Sequence, residues 1–201
     1  MKFKKYYFLL IMSLFIGTSF TFNSNAKKPF LLDNFEDGDL INQLKTNWFS
    51  MSDSNSAMKI EIKDSGVDSI GKALFADFEI KDGIQWPWVA FGCEFDKQKQ
   101  EYNLGRYNAI KFRAKGKGFL MTQIVTTSTE KTYNHYTKGV QLTNDWTTYT
   151  LDFEKFRQTW GKPVEWEPAT AKGLNFTFVK GGGMSKGTVW LDKIEFVKLK
   201  K

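Results

Sequence analysis

Ala109-Ile110-Lys111-Phe112-Arg113-Ala114-Lys115-Gly116-Lys117-Gly118 decides the architecture of this chain. Ile110, Phe112 and Ala114 project to one side of an extended backbone, while Lys111, Arg113 and Lys115 project to the other. Side chains alternate across a strand with a period of two, so this pattern describes a strand with one core face and one wet face. The Lys-Gly-Lys-Gly run that follows is turn chemistry. Tyr149, Leu151 and Phe153 alternate with Thr148, Thr150 and Asp152 in the same way.

Working outward, the same period predicts strands over residues 31–36, 48–53, 58–63, 73–80, 88–95, 109–114, 119–126, 135–142, 147–153, 174–179 and 188–197. Turn residues separate them, among them Asp37-Gly38-Asp39, Asp64-Ser65-Gly66, Thr143-Asn144-Asp145 and Gly181-Gly182-Gly183. No long stretch carries helical periodicity. Short strands without intervening helices imply an all-β fold, two antiparallel sheets packed as a sandwich. Residues 97–106 are polar and predict a surface loop; residues 154–170, with Trp160, Trp166 and two prolines, predict a long loop holding one helical turn. Long ordered loops in small folds often carry function.

The first residues address the compartment. Lys2, Lys4 and Lys5 precede an apolar run from Tyr6 to Phe22, and Asn23-Ser24-Asn25-Ala26 offers small residues to a signal peptidase. Residues 1–26 therefore predict a secretory signal, and residues 27–201 a single secreted or periplasmic domain without a membrane span. Three positive charges lie in that leader, leaving +4 of the chain's net +7. The remaining basic residues are scattered, whereas a nucleic-acid groove needs a basic stripe, so no nucleic-acid partner is expected. Cys93 is the only cysteine and His135 the only histidine, which removes an internal disulfide and argues against a zinc site. Cys93 falls in an alternating strand and reads as a small core hydrophobe.

Seven short motifs appear in order: Asp33-Asn34-Phe35-Glu36-Asp37-Gly38-Asp39, Asn47-Trp48, Trp86-Pro87-Trp88-Val89-Ala90-Phe91-Gly92, Tyr107 through Gly118, Asp145-Trp146-Thr147-Thr148-Tyr149, Phe156-Arg157-Gln158-Thr159-Trp160-Gly161, and Val189-Trp190-Leu191-Asp192-Lys193-Ile194-Glu195-Phe196. Together they resemble the complex I intermediate-associated protein 30 domain and the related family 11 carbohydrate-binding modules. The resemblance implies a galactose-binding-like jelly roll, and no catalytic residue belongs to its pattern. It offers two functions: glycan binding, which export favours, or envelope protein interaction and complex assembly. It also implies a structural calcium ion where the first and last strands meet, with Glu36 and Asp192 as the matching acidic residues.

A sugar site needs flat aromatic faces for the apolar side of a pyranose and planar polar groups for its hydroxyls. In modules of this kind it lies across the concave sheet. Alternation offers Gln123, His135 and Thr137, with Asn175 and Thr177 also facing away from the core. Tyr136 enters the set either as a platform or as a core residue with its hydroxyl satisfied. From the loops, Trp88, Arg157, Gln158 and Trp160 close over one end. The expected partner is therefore a polysaccharide or oligosaccharide, with an envelope protein as the alternative.

Enzymatic readings lack their parts. Glu94 with Asp96, and Glu165 with Glu167, stand two apart and do not oppose each other across a bound sugar. There is no nucleophile elbow, phosphate loop or metal-binding histidine pair. Asn175-Phe176-Thr177 matches a glycosylation sequon but falls in the middle of a strand.

Overall fold

The computed structural model describes residues 28–64, 71–181 and 184–200; the secretory signal expected over residues 1–26 lies outside them. It is all-β, as the alternation implies. Among the described residues eleven strands follow in order: β1 Phe30–Asp33, β2 Trp48–Ser52, β3 Ala57–Asp64, β4 Lys72–Glu79, β5 Trp88–Glu94, β6 Ala109–Gly116, β7 Phe119–Thr126, β8 Tyr136–Gln141, β9 Thr147–Asp152, β10 Ala171–Val179 and β11 Lys186–Val197. One sheet has the order β3-β4-β11-β6-β9, with β1 also paired to β11. The other has the order β2-β5-β10-β7-β8. All the pairings are antiparallel.

Between the sheets lies an aromatic core. Phe176 of β10 stacks on Phe91 at 5.3 Å, meets Trp48 at 6.4 Å and receives the edge of Phe112 from the facing sheet at 5.2 Å. Phe78 and Phe178 stack across the sheets at 4.5 Å. Such pairs add to the burial free energy of their rings. Trp48 donates its indole N–H to Asp33 Oδ2 at 2.8 Å, so the polar edge of the ring is satisfied inside the core.

Strands adjacent in sequence often belong to different sheets. β6 and β7 flank the Lys-Gly-Lys-Gly run, yet the chain crosses there from one sheet to the other. Gly116 and Gly118 make that corner at φ 154° and 91°. A Cβ on Gly116 would stand 2.8 Å from the Thr188 carbonyl oxygen, so no larger residue fits. One short element, at residues 127–130, escaped the alternation, while residues 154–170 end in a helical turn. The helical turn α1, Thr127–Glu130, follows β7 and is closed by a capping box between Thr126 and Thr129. A 3-10 turn at Pro168–Thr170 runs directly into β10, which therefore begins at Ala171 rather than at residue 174.

Candidate functional site on the five-stranded sheet

One face of the β2-β5-β10-β7-β8 sheet packs Trp48, Phe91, Leu120, Ile124, Leu174 and Phe176 into the core. The period of two then sends Gln123, Asn175, Thr177 and Trp88 to the other face. The register aligns these strands closely. Thr137 pairs with Gln123, Gln123 with Asn175, Asn175 with Gly92, and Gly92 with Phe49. Beyond the edge strand, Arg157 joins Thr137 through two backbone hydrogen bonds of 2.9 and 3.0 Å. Arg157–Thr137–Gln123–Asn175–Gly92–Phe49 thus forms one row across the strands.

Within the row, Gln123 is locked. Its Oε1 accepts from Thr177 Oγ1 at 2.8 Å, its Nε2 donates to Thr137 Oγ1 at 3.3 Å, and the residue is 8% exposed. Asn175 differs: its amide lies across Gly92, where a Cβ would come within 2.3 Å of Oδ1, and it has no hydrogen-bond partner among the described residues. Gly139 plays a matching part for Phe119, whose ring covers the position a Cβ would occupy. Phe49 and Phe119 remain 39% and 41% exposed, so apolar surface flanks the polar row on two sides.

The predicted residues separate into three groups. Gln123 and Arg157 share the row, although the Arg157 guanidinium curls back to the carbonyls of Glu154 and Phe156 at 2.5 and 2.7 Å. His135, Gln158 and Trp160 gather at the same end. Asn134 pins their loop: its Oδ1 accepts from the Thr159 and Trp160 amides at 3.1 and 3.2 Å, its Nδ2 donates to the Trp160 carbonyl, and its own carbonyl accepts from Gln158 Nε2 at 2.6 Å. Trp160, half exposed, is presented on that fixed backbone. Trp88 faces the same side but stands four residues from Gly92 along β5, about 13 Å from the row.

Two expectations need correction. Tyr136 belongs to the opposite face, because it pairs with core-facing Ile124. Its ring meets Trp166 at 4.8 Å, and its hydroxyl donates to the Val164 carbonyl at 2.7 Å, so it packs rather than presents a platform. It lines a cavity of about 340 Å³ with Phe153, Phe156 and Trp166. His135 is buried beside Thr129 Oγ1 at 3.3 Å, and burial depresses its pKa from 6.5 to about 4. It is neutral at neutral pH and shapes the end of the face from within. Phe49, Phe119 and Asn134 were not foreseen; the alternation Phe119-Met121-Gln123 held the signal for one of them.

Glu36 and Asp192 lie where β1 meets β11, Asp33 being paired with Ile194. Glu36 Oε2 accepts from the Lys72 amide at 3.2 Å, and Asp192 Oδ1 accepts from the Lys193 amide at 2.6 Å. Among the described residues no three His, Cys, Asp or Glu side chains come together. A cation held here would draw most of its oxygens from backbone carbonyls.

This two-sheet arrangement has solved counterparts. It superposes on the family 11 carbohydrate-binding module of a cellulosomal cellulase of Clostridium thermocellum with a TM-score of 0.65 and 14% identity, over 87% of this chain and 96% of that one. The chain has the fold of a carbohydrate-binding module. The Clostridium thermocellum module in complex with a β-1,3-1,4-mixed-linked tetrasaccharide gives 0.66 and 15%, over 86% of this chain and 97% of that chain. A family 30 carbohydrate-binding module gives 0.57 and 15%, over 75% of this chain and 92% of the other. No protein-family model matches the sequence, and no curated protein does. The resemblance to complex I intermediate-associated protein 30 therefore remains an expectation of the sequence. Among the described residues no helix is long and apolar enough to cross a membrane.

Proposed function

We propose that the outer face of the five-stranded sheet binds a polysaccharide without catalysis, the glycan lying along the row from Arg157 to Phe49. Asn175 carries this reading. It is an amide donor and acceptor with no hydrogen-bond partner among the described residues, held over a glycine in the middle of the face. Gln123 and the two threonines beside it stiffen the floor, so little side-chain entropy is lost on binding. Phe49, Phe119 and the ring of Trp160 offer apolar surface for the C–H faces of a sugar. The fold shared with carbohydrate-binding modules supports the same assignment, and the leader expected at residues 1–26 supports export to the periplasm or beyond the cell.

Affinity electrophoresis against mixed-linked β-glucan, xylan and mannan tests the proposal. Retardation by at least one neutral glycan is expected. If a demonstrably folded protein migrates unchanged in every gel, the proposal fails and an envelope protein becomes the partner to seek. Calcium between Glu36 and Asp192 is a separate proposal. It rests on the resemblance that names these two residues and on the pairing of Asp33, three residues before Glu36, with Ile194, two residues after Asp192.

A further inference from the structure

The outer face of the other sheet carries a second row, built of rings and ammonium groups. Register places Glu61, Phe75, Trp190 and Lys115 side by side across β3, β4, β11 and β6. Trp146, the residue before β9, continues the line. Phe75 and Trp190 are 4.8 Å apart. The Lys115 ammonium lies 5.0 Å from the Trp190 ring and 5.1 Å from that of Trp146, holding the two indoles apart and in place. At the Phe75 end, Lys63 caps the ring at 3.7 Å. Beside the row opens a cleft of about 470 Å³, lined by Asp77, Lys115, Lys117, Lys186, Thr188 and Trp190.

The charge on this face is uneven. Lys63 is held by Glu61 at 2.7 Å, and Lys111 by Glu195 at 2.9 Å. Lys117 and Lys186 are exposed and make none of the ion pairs seen among the described residues. The cleft thus gathers Lys115, Lys117 and Lys186 against one lining carboxylate, Asp77, while Glu79, opposite Lys186 in the register, is paired with Lys81 at 3.4 Å. Acidic residues interrupt the face elsewhere, so it lacks the unbroken basic track that a nucleic-acid backbone, charged at each nucleotide, requires.

We infer that this row and cleft form a second binding surface, for an acidic glycan whose pyranose rings lie on Trp190 and Trp146 while a carboxylate meets Lys117 and Lys186. The surface is on the opposite side of the sandwich from the polar row and is independent of it. Polygalacturonate is the probe. The wild-type protein should be retarded in a polygalacturonate gel, less so as salt rises, and titration should change its tryptophan fluorescence. Lys117→Gln with Lys186→Gln alters exposed side chains only. This pair should weaken polygalacturonate binding about tenfold or more, leaving retardation by a neutral glycan as in the wild type. The inference is overturned if wild-type protein ignores polygalacturonate, if the double variant binds it equally well, or if a single-stranded oligothymidylate binds as tightly. Failure of neutral glycans alone would instead remove the assignment of the polar row.

Discussion

Two buried titratable groups oppose each other in the acid range, and single substitutions should expose them. Burial raises the Asp33 pKa from 3.8 to about 6, against the hydrogen bonds it accepts from Phe35 and Trp48. The folded state therefore holds a proton that the unfolded state releases, and stability present below pH 3.8 is lost as pH rises through about 6. Burial lowers the His135 pKa from 6.5 to about 4. Here the unfolded state binds the extra proton, so stability present above pH 6.5 is lost as pH falls toward about 4. Each gap spans a little over two pH units, or about 3 kcal/mol at 1.36 kcal/mol per unit. Across the shared window the two contributions cancel, and the wild-type protein should unfold in urea with nearly constant stability.

In His135→Gln only the carboxyl remains, and stability should fall by about 2 kcal/mol as pH rises from 4 to 6, the larger part of the whole. In Asp33→Asn only the imidazole remains, and stability should climb by a similar amount over the same interval. Urea unfolding followed by tryptophan fluorescence at pH 4, 5, 6 and 7 reads these slopes directly. A His135→Gln profile parallel to that of the wild type would refute the argument, since the imidazole would then titrate alike in both states.

Gln123→Ala with Trp160→Ala should abolish retardation by neutral glycan while lowering Tm by only about 2–4 °C, because the glutamine makes just two hydroxyl hydrogen bonds and the indole is half exposed; loss of cooperative unfolding would place one of them in the core. Asn134→Ala leaves three backbone groups of the Trp160 loop without their partner, and should cost about 1–3 kcal/mol in stability and weaken glycan binding together; calorimetry and gel retardation on one preparation check both. Adding calcium should raise Tm and a chelator should lower it if a cation bridges Glu36 and Asp192; a melting curve indifferent to both ends that proposal.

The strands were legible because nearly every one has a dry face and a wet face, and a period of two is hard to hide. Ile110, Phe112 and Ala114 are fully buried, as their alternation with Lys111 and Arg113 requires. Strand order was not legible. Nothing local in residues 186–197 says that this segment lies between β4 and β6, since partners that distant are selected by packing. The same limit divides the candidate site. Alternation places Gln123, Asn175 and Thr177 on the outer face and, taken one residue further, turns Tyr136 inward. It is silent on Asn134 and Phe49, whose roles depend on a folded loop and on a strand remote in sequence. The ring and lysine row of the second sheet was invisible for the same reason, its members coming from four strands and a preceding residue.

β11 has β4 and β1 along one edge and β6 along the other, and all three precede it in the chain. Until residues 186–197 have been synthesised, the β3-β4 and β6-β9 pairs of that sheet have no common neighbour to join them. Completion of that sheet therefore waits for contacts between distant segments. Chains dominated by such contacts fold over milliseconds to seconds rather than microseconds, and the sheet is closed only once β11 has joined β4, β1 and β6.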